Sequence, residues 1–103
     1  MRTTTVIRNN IDLSSLTDPA DEADALRVHL AKAESVCEAF KTTHGITSDN
    51  LVSRSGDDQT NIHVRSWPDL ATAQAWVDLV LSGSLSQGLD YYPVVISAQV
   101  DPE

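Results

Sequence analysis

The order of the apolar segments constrains this chain more than any single motif. A strand pattern at Thr3–Ile11 precedes a helical pattern running from Pro19 to about Thr43. Two further strand patterns follow, Asn50–Ser55 and Gln59–Ser66, then a second helical pattern at Pro68–Leu81 and a last strand at Pro93–Val100. That order, β-α-β-β-α-β, is the split βαβ arrangement. Because crossovers between strands of one sheet are right-handed, it predicts an α+β sandwich. The sheet is expected to be four-stranded and antiparallel, in spatial order 4-1-3-2, with both helices on one face. The 103 residues contain no internal repeat beyond the two βα units, no low-complexity tract and no linker, so residues 1–103 are read as one domain.

The segment ends carry their own signals. Asp18-Pro19-Ala20-Asp21 opens the first helix: Asp18 caps free amides, Pro19 lacks the N–H that would be orphaned, and Asp21, Glu22 and Asp24 suit the positive end of the dipole. Leu26, Leu30, Ala33, Cys37 and Phe40 recur at three- and four-residue spacing as one buried stripe. Gly45, after His44, stops the helix. At about 1.5 Å per residue the helix would run roughly 38 Å, longer than the strands it covers, so one end is expected to overhang or break. Ser55-Gly56-Asp57-Asp58 is a turn that makes strands two and three a hairpin. Strand three alternates, with Thr60, Ile62, Val64 and Ser66 pointing one way and Asn61, His63, Arg65 and Trp67 the other. Ser66-Trp67-Pro68-Asp69 reads as a capping box for the second helix, whose buried face is expected to hold Leu70, Ala73, Trp76 or Val77, and Val80. Residues Ile11–Leu16 fit either a continued strand or a loop, and Gly83 and Gly88 bracket a loop before the last strand.

Composition excludes several function classes. Fifteen acidic against seven basic side chains leave a formal charge of −8 and no Lys/Arg cluster, a field that repels nucleic acid. No stretch approaches the roughly 20 apolar residues of a membrane helix, and the N-terminus lacks the apolar core of a signal peptide. Cys37 is the sole cysteine, so no intrachain disulfide forms, and its place on an apolar helix face is that of a small hydrophobe. A cytoplasmic protein follows as the expectation.

His44-Gly45-Ile46 before a strand, the Ser55–Asp58 turn and the run from Asn61-Ile62-His63-Val64-Arg65-Ser66-Trp67-Pro68-Asp69 to Leu70-Ala71-Thr72-Ala73 carry a family likeness. They resemble the dimeric α/β-barrel superfamily, in its antibiotic-biosynthesis-monooxygenase-like group. The likeness covers roughly residues 44–82 by motif and the whole chain by segment order. It implies a ferredoxin-like subunit whose sheet pairs with that of a second subunit in a homodimeric barrel, and a ligand cavity in each subunit. Members of that superfamily include cofactor-free oxygenases, haem-degrading enzymes and small-ring isomerases. The haem-degrading branch uses a strand-one Asn, matched by Asn9 or Asn10, the Trp after strand three, matched by Trp67, and a haem-ligating His on helix two. Pro68–Leu81 contains no histidine, so haem is not expected, and no cofactor is implied.

Two readings of the strand-three polar row stand side by side. In the first, His63 acts as a base or donor near neutral pH while Arg65 and Asn61 stabilise developing negative charge. In the second, the row is the solvent side of a strand whose apolar residues pack on the helices. The three histidines fall at no metal-ligand spacing, so no metal site is expected. His44 suits the negative helix end, Trp76 is read as core before ligand platform, and Tyr91-Tyr92 either rim a cavity or cover an edge. Few aromatics and many alanines predict an elongated apolar pocket lined by Leu26, Leu30, Phe40, Ile62, Val64, Trp76 and Val80, with a polar end supplied by an Arg, a His or a Tyr and with Trp67 also among the ligand-binding residues; the competing expectation is an interior packed to ordinary density. The functional expectation is a cofactor-independent monooxygenase or isomerase acting on a small hydrophobic carbonyl compound. The alternative is a non-catalytic binding module for a hydrophobic or fatty-acyl-like ligand, or a dimeric interaction domain.

Overall fold

The computed structural model describes residues 1–9, 19–56, 60–85 and 93–102, with side chains described at these positions except 9, 19–30, 93 and 94. The elements are β1 (Arg2–Asn9), α1 (Pro19–Thr43), β2 (Leu51–Gly56), β3 (Thr60–Ser66), α2 (Leu70–Leu81) and β4 (Pro93–Val100). The strands form one antiparallel sheet ordered β2-β3-β1-β4, the predicted order. Both helices lie on one face of it, where Glu34 of α1 and Trp76 of α2 both reach Arg65 of β3. This α+β architecture is compatible with a ferredoxin-like sandwich.

Local chemistry explains the boundaries. The α1 helix runs unbroken through 25 residues and ends in a tight reversal. There Gly45 N–H donates to Thr42 O at 3.2 Å and Ile46 N–H to Lys41 O at 2.9 Å. That pair of bonds satisfies the last carbonyls and needs a residue at positive φ, which Gly45 supplies at 71°. Gly56 ends β2 at φ 122°, where a Cβ would meet Thr60 O at 2.0 Å. The capping of α2 differs from expectation. The cap is Asp69, whose Oδ1 accepts from Thr72 N–H at 2.8 Å, in place of a box built on Ser66. That bond holds the Asp69 carboxyl below its ordinary pKa. Ser66 is not available for capping because it still belongs to β3, its N–H donating to Asn50 O at 2.9 Å.

The interior confirms most of the helical stripes. Ala33, Cys37 and Phe40 of α1 and Ala73, Trp76, Val77 and Val80 of α2 are buried. Leu70, expected on the buried face, is 57 % exposed, because it begins the first turn beside exposed Pro68 and Asp69. The side chains of Leu26, Leu30 and His29, and the whole of Asn10, the Ile11–Leu16 segment, Gly88 and Tyr91-Tyr92, lie outside the described residues.

The orientation of β3 reverses one expectation. Ile62 and Val64 were assigned to the helix-facing pocket, yet the row buried beneath the helices is His63, Arg65 and Trp67, each 3–4 % exposed. Their register partners on β1, Thr3 and Thr5, are buried with them, and Ile7 opposite Asn61 completes the same face. Ile62 and Val64 are only half-buried, opposite Val6 and Thr4 on the open face of the sheet. Trp67 decides this. Its ring packs edge-on to Phe40 with centroids 5.3 Å apart and lies 5.4 Å from Trp76. An indole buries about 150–250 Å², and strand alternation then carries Arg65 and His63 inward with it.

Candidate functional site

The helix-facing polar row sits beside α1 residues that complement it. One carboxylate oxygen of Glu34, Oε1, accepts from Arg65 Nη2 at 3.1 Å and also from Arg54 Nη2. Arg54 stands on β2 directly opposite His63. Arg65 Nη1 reaches Asn50 Oδ1 at 3.4 Å, and its guanidinium carbon lies 5.8 Å from the centre of the Trp76 ring. Cys37 Sγ is 3.9 Å from the same Asn50 oxygen. Lys41, one turn further along α1, is buried and pairs with Glu38 at 3.2 Å. Arg65 is thus a buried cation, and burying a charge is costly unless it is paired and hydrogen-bonded.

The pairing is incomplete. Arg65 Nε, Asn50 Nδ2, His63 Nε2 and Trp76 Nε1 are all buried without a hydrogen-bond partner among the described residues. Most buried polar atoms in folded proteins find one. The Asn50 amide orientation follows from its neighbour: a guanidinium only donates, so the atom facing Arg65 is the carbonyl oxygen and the unpartnered atom is the NH₂. Three of the four orphans are therefore donors, gathered on residues that surround one guanidinium.

Burial, with the fields of Arg65 and Arg54, pushes the His63 pKa down to about 4, against a smaller upward pull from Glu34. The imidazole is neutral at physiological pH. Burial likewise raises the Cys37 thiol, which stays protonated. Asn50 also borders a cleft of about 460 Å³ formed by residues 44–50 together with Ser66, Trp67 and Pro68. Asn50 and Trp67 line it, whereas Arg65, His63 and Trp76 do not.

Among the predicted site residues, His63, Arg65, Trp67 and Trp76 come together on the helix-facing side, with Phe40 and Val80 in the adjoining core. Asn61 shares the strand face of His63 but lies four residues from Arg65, about 13 Å of strand at ~3.3 Å per residue. Ile62 and Val64 point to the other face and do not line a common space with Trp76. Sequence reasoning missed Glu34, Asn50 and Arg54. Glu34 carried a usable signal, since it falls between Ala33 and Cys37, beside the predicted stripe; Asn50 carried none, because its role depends on a loop placing it next to β3. Among the described residues no group of three or more His, Cys, Asp or Glu side chains is arranged to hold a metal ion. No described helix is long and apolar enough to cross a membrane. Compared with known proteins, the chain matches no family model, no curated protein and no solved structure.

Proposed function

We propose that this chain is a small-molecule domain that moves a proton on a carbonyl compound held between the sheet and α1. The observation that carries the reading is a buried neutral imidazole with a free Nε2, one strand repeat from a buried guanidinium with a free Nε. His63 Nε2 takes a proton from the carbon next to the carbonyl. The electron pair moves onto the carbonyl oxygen, where Arg65 and Asn50 donate hydrogen bonds to the resulting enolate. Return of the proton to the carbonyl oxygen completes a keto–enol isomerisation with no further reactant. A base of pKa about 4 is weak, and burial, the larger cause of that value, stays in place when substrate binds; negative charge gathering on the substrate offsets only the smaller contribution of the two arginines.

The depressed His63 pKa also supports a second reading, in which the site binds such a compound without turning it over. Deuterium exchange into phenylpyruvate, followed by proton NMR in D₂O, separates the two. Catalysis predicts exchange faster than in buffer, reduced about 10²- to 10⁴-fold in His63→Gln. Binding with no acceleration of exchange establishes the non-catalytic reading.

The proposal includes a homodimer formed through the open sheet face, where half-buried Val6, Ile62 and Val64 adjoin Ile96, which is 54 % exposed. Apolar surface of that kind favours association. Light scattering at micromolar concentration should return twice the 11.2 kDa subunit mass, and a single-subunit mass contradicts it.

A further inference from the structure

We infer that the ligand of this site carries an anionic oxygen, a carboxylate or enolate, that binds in plane against Arg65 and Asn50 while its apolar remainder lies in the cleft of residues 44–50. The inference rests on the small-molecule reading above and gives it a ligand class.

Two observations carry it independently. The first is charge. Around Arg65, Arg54 and Arg65 share one carboxylate, Glu34, while Lys41 has Glu38 to itself. Asp49, on the rim of the cleft, adds a third carboxylate, so charges balance over the whole region. The member buried away from the rest is Arg65, whose side chain is 3 % exposed and shares its one carboxylate, Glu34, with Arg54. An anion brought from outside gives this buried cation a carboxylate of its own.

The second observation is hydrogen-bond polarity. The orphaned atoms on Arg65, Asn50 and Trp76 are all donors. Donors without acceptors select a ligand rich in acceptors, and a guanidinium matches the planar geometry of a carboxylate better than any neutral group. A cationic or purely hydrocarbon ligand would leave all three unsatisfied. The cleft beside Asn50, lined by Ile46, Trp67 and Pro68 together with Thr47, Ser48 and Asp49, offers about 460 Å³ for a ring or short chain.

The experiment compares sodium benzoate with benzamide, which has the same shape and no charge, by thermal shift and calorimetry. Benzoate should bind at least about tenfold more tightly than benzamide. Equal binding of the two, or binding by neither, overturns the inference. Asn50→Asp supplies a carboxylate from within the chain. It should raise the melting temperature by about 5 °C and abolish benzoate binding, because the internal carboxylate occupies Arg65. A lower melting temperature for Asn50→Asp, or benzoate affinity unchanged in that variant, also overturns the inference. Benzoate binding that disappears in Asn50→Asp while phenylpyruvate shows no catalysed exchange supports the anion site and removes only the catalytic reading.

Discussion

Trp67 and Trp76 are equally buried, at 3 % exposure, and their rings lie 5.4 Å apart, yet they close two different kinds of interior. The Trp67 indole donates to Thr3 Oγ1 at 2.8 Å, and its backbone N–H donates to Met1 O at 2.7 Å. With Phe40 it forms an aromatic wedge whose polar atoms are matched. The Trp76 indole N–H has no partner among the described residues and faces a neighbourhood where Arg65, Asn50 and His63 are incomplete as well. One end of the sandwich is finished by folding alone. The other keeps donors in surplus, a cost of about 1–3 kcal/mol for each unmet buried group. Matched and unmatched polar atoms are thus separated by the width of one indole.

Four substitutions and a pH titration can break or sharpen that contrast. Truncation at the finished end is the most damaging: Trp67→Ala should lose about 3–5 kcal/mol in urea unfolding, since it empties the wedge and strands the Thr3 hydroxyl. A loss below about 1 kcal/mol would mean that Trp67 does not organise the sheet face. The next largest effect is acid sensitivity from the unfinished end. The unfolded imidazole titrates near 6.5, whereas folded His63 resists protonation down to about 4. Above about pH 6.5 neither state is protonated at this residue and it contributes no pH dependence. As pH falls from about 6.5 to 4 the unfolded chain takes up a proton that the folded chain refuses, so stability drops, by about 2–3 kcal/mol in all. His63→Gln should remove that component, and an unchanged pH profile in the variant would contradict the buried neutral imidazole. The smallest effect is the most specific. Trp67→Phe loses a made hydrogen bond and should cost about 1 kcal/mol more than Trp76→Phe, which deletes an unmet donor. Equal costs would erase the distinction between the two ends.

The fold was legible in the sequence because it rests on local and periodic signals. Pro19 opened α1 where the first helix begins, Gly45 closed it, and β4 spans Pro93–Val100 as its β-branched run implied. The strand order followed from connectivity alone. The face assignment of β3 was not legible in the same way. Alternation grouped His63 with Arg65 and separated them from Ile62 and Val64, but period two says nothing about which group faces the helices. Ordinary hydrophobic reasoning chose Ile62 and Val64. Trp67, the last residue of the polar row, outweighed them through Phe40 and Trp76, and Glu34 made the inward Arg65 tolerable. Asn50 depended on contacts between residues 15 apart in the chain, which no local pattern records. Leu70 was misplaced for a smaller reason: a helix's first turn can project beyond the sheet even when its spacing fits the buried stripe.

The most direct test of the contrast follows the two indole N–H resonances in a ¹⁵N-correlated NMR spectrum during a titration with sodium acetate, which carries the carboxylate without a ring that would shift Trp67, with Trp76→Phe providing the assignment. The account predicts that the Trp76 Nε1–H signal moves downfield in a saturable manner as it or its neighbours acquire an acceptor, while the Trp67 signal, already bonded to Thr3, stays within a small fraction of that shift. Two indole signals that both remain fixed, or a Trp67 signal that moves as far as that of Trp76, would contradict it.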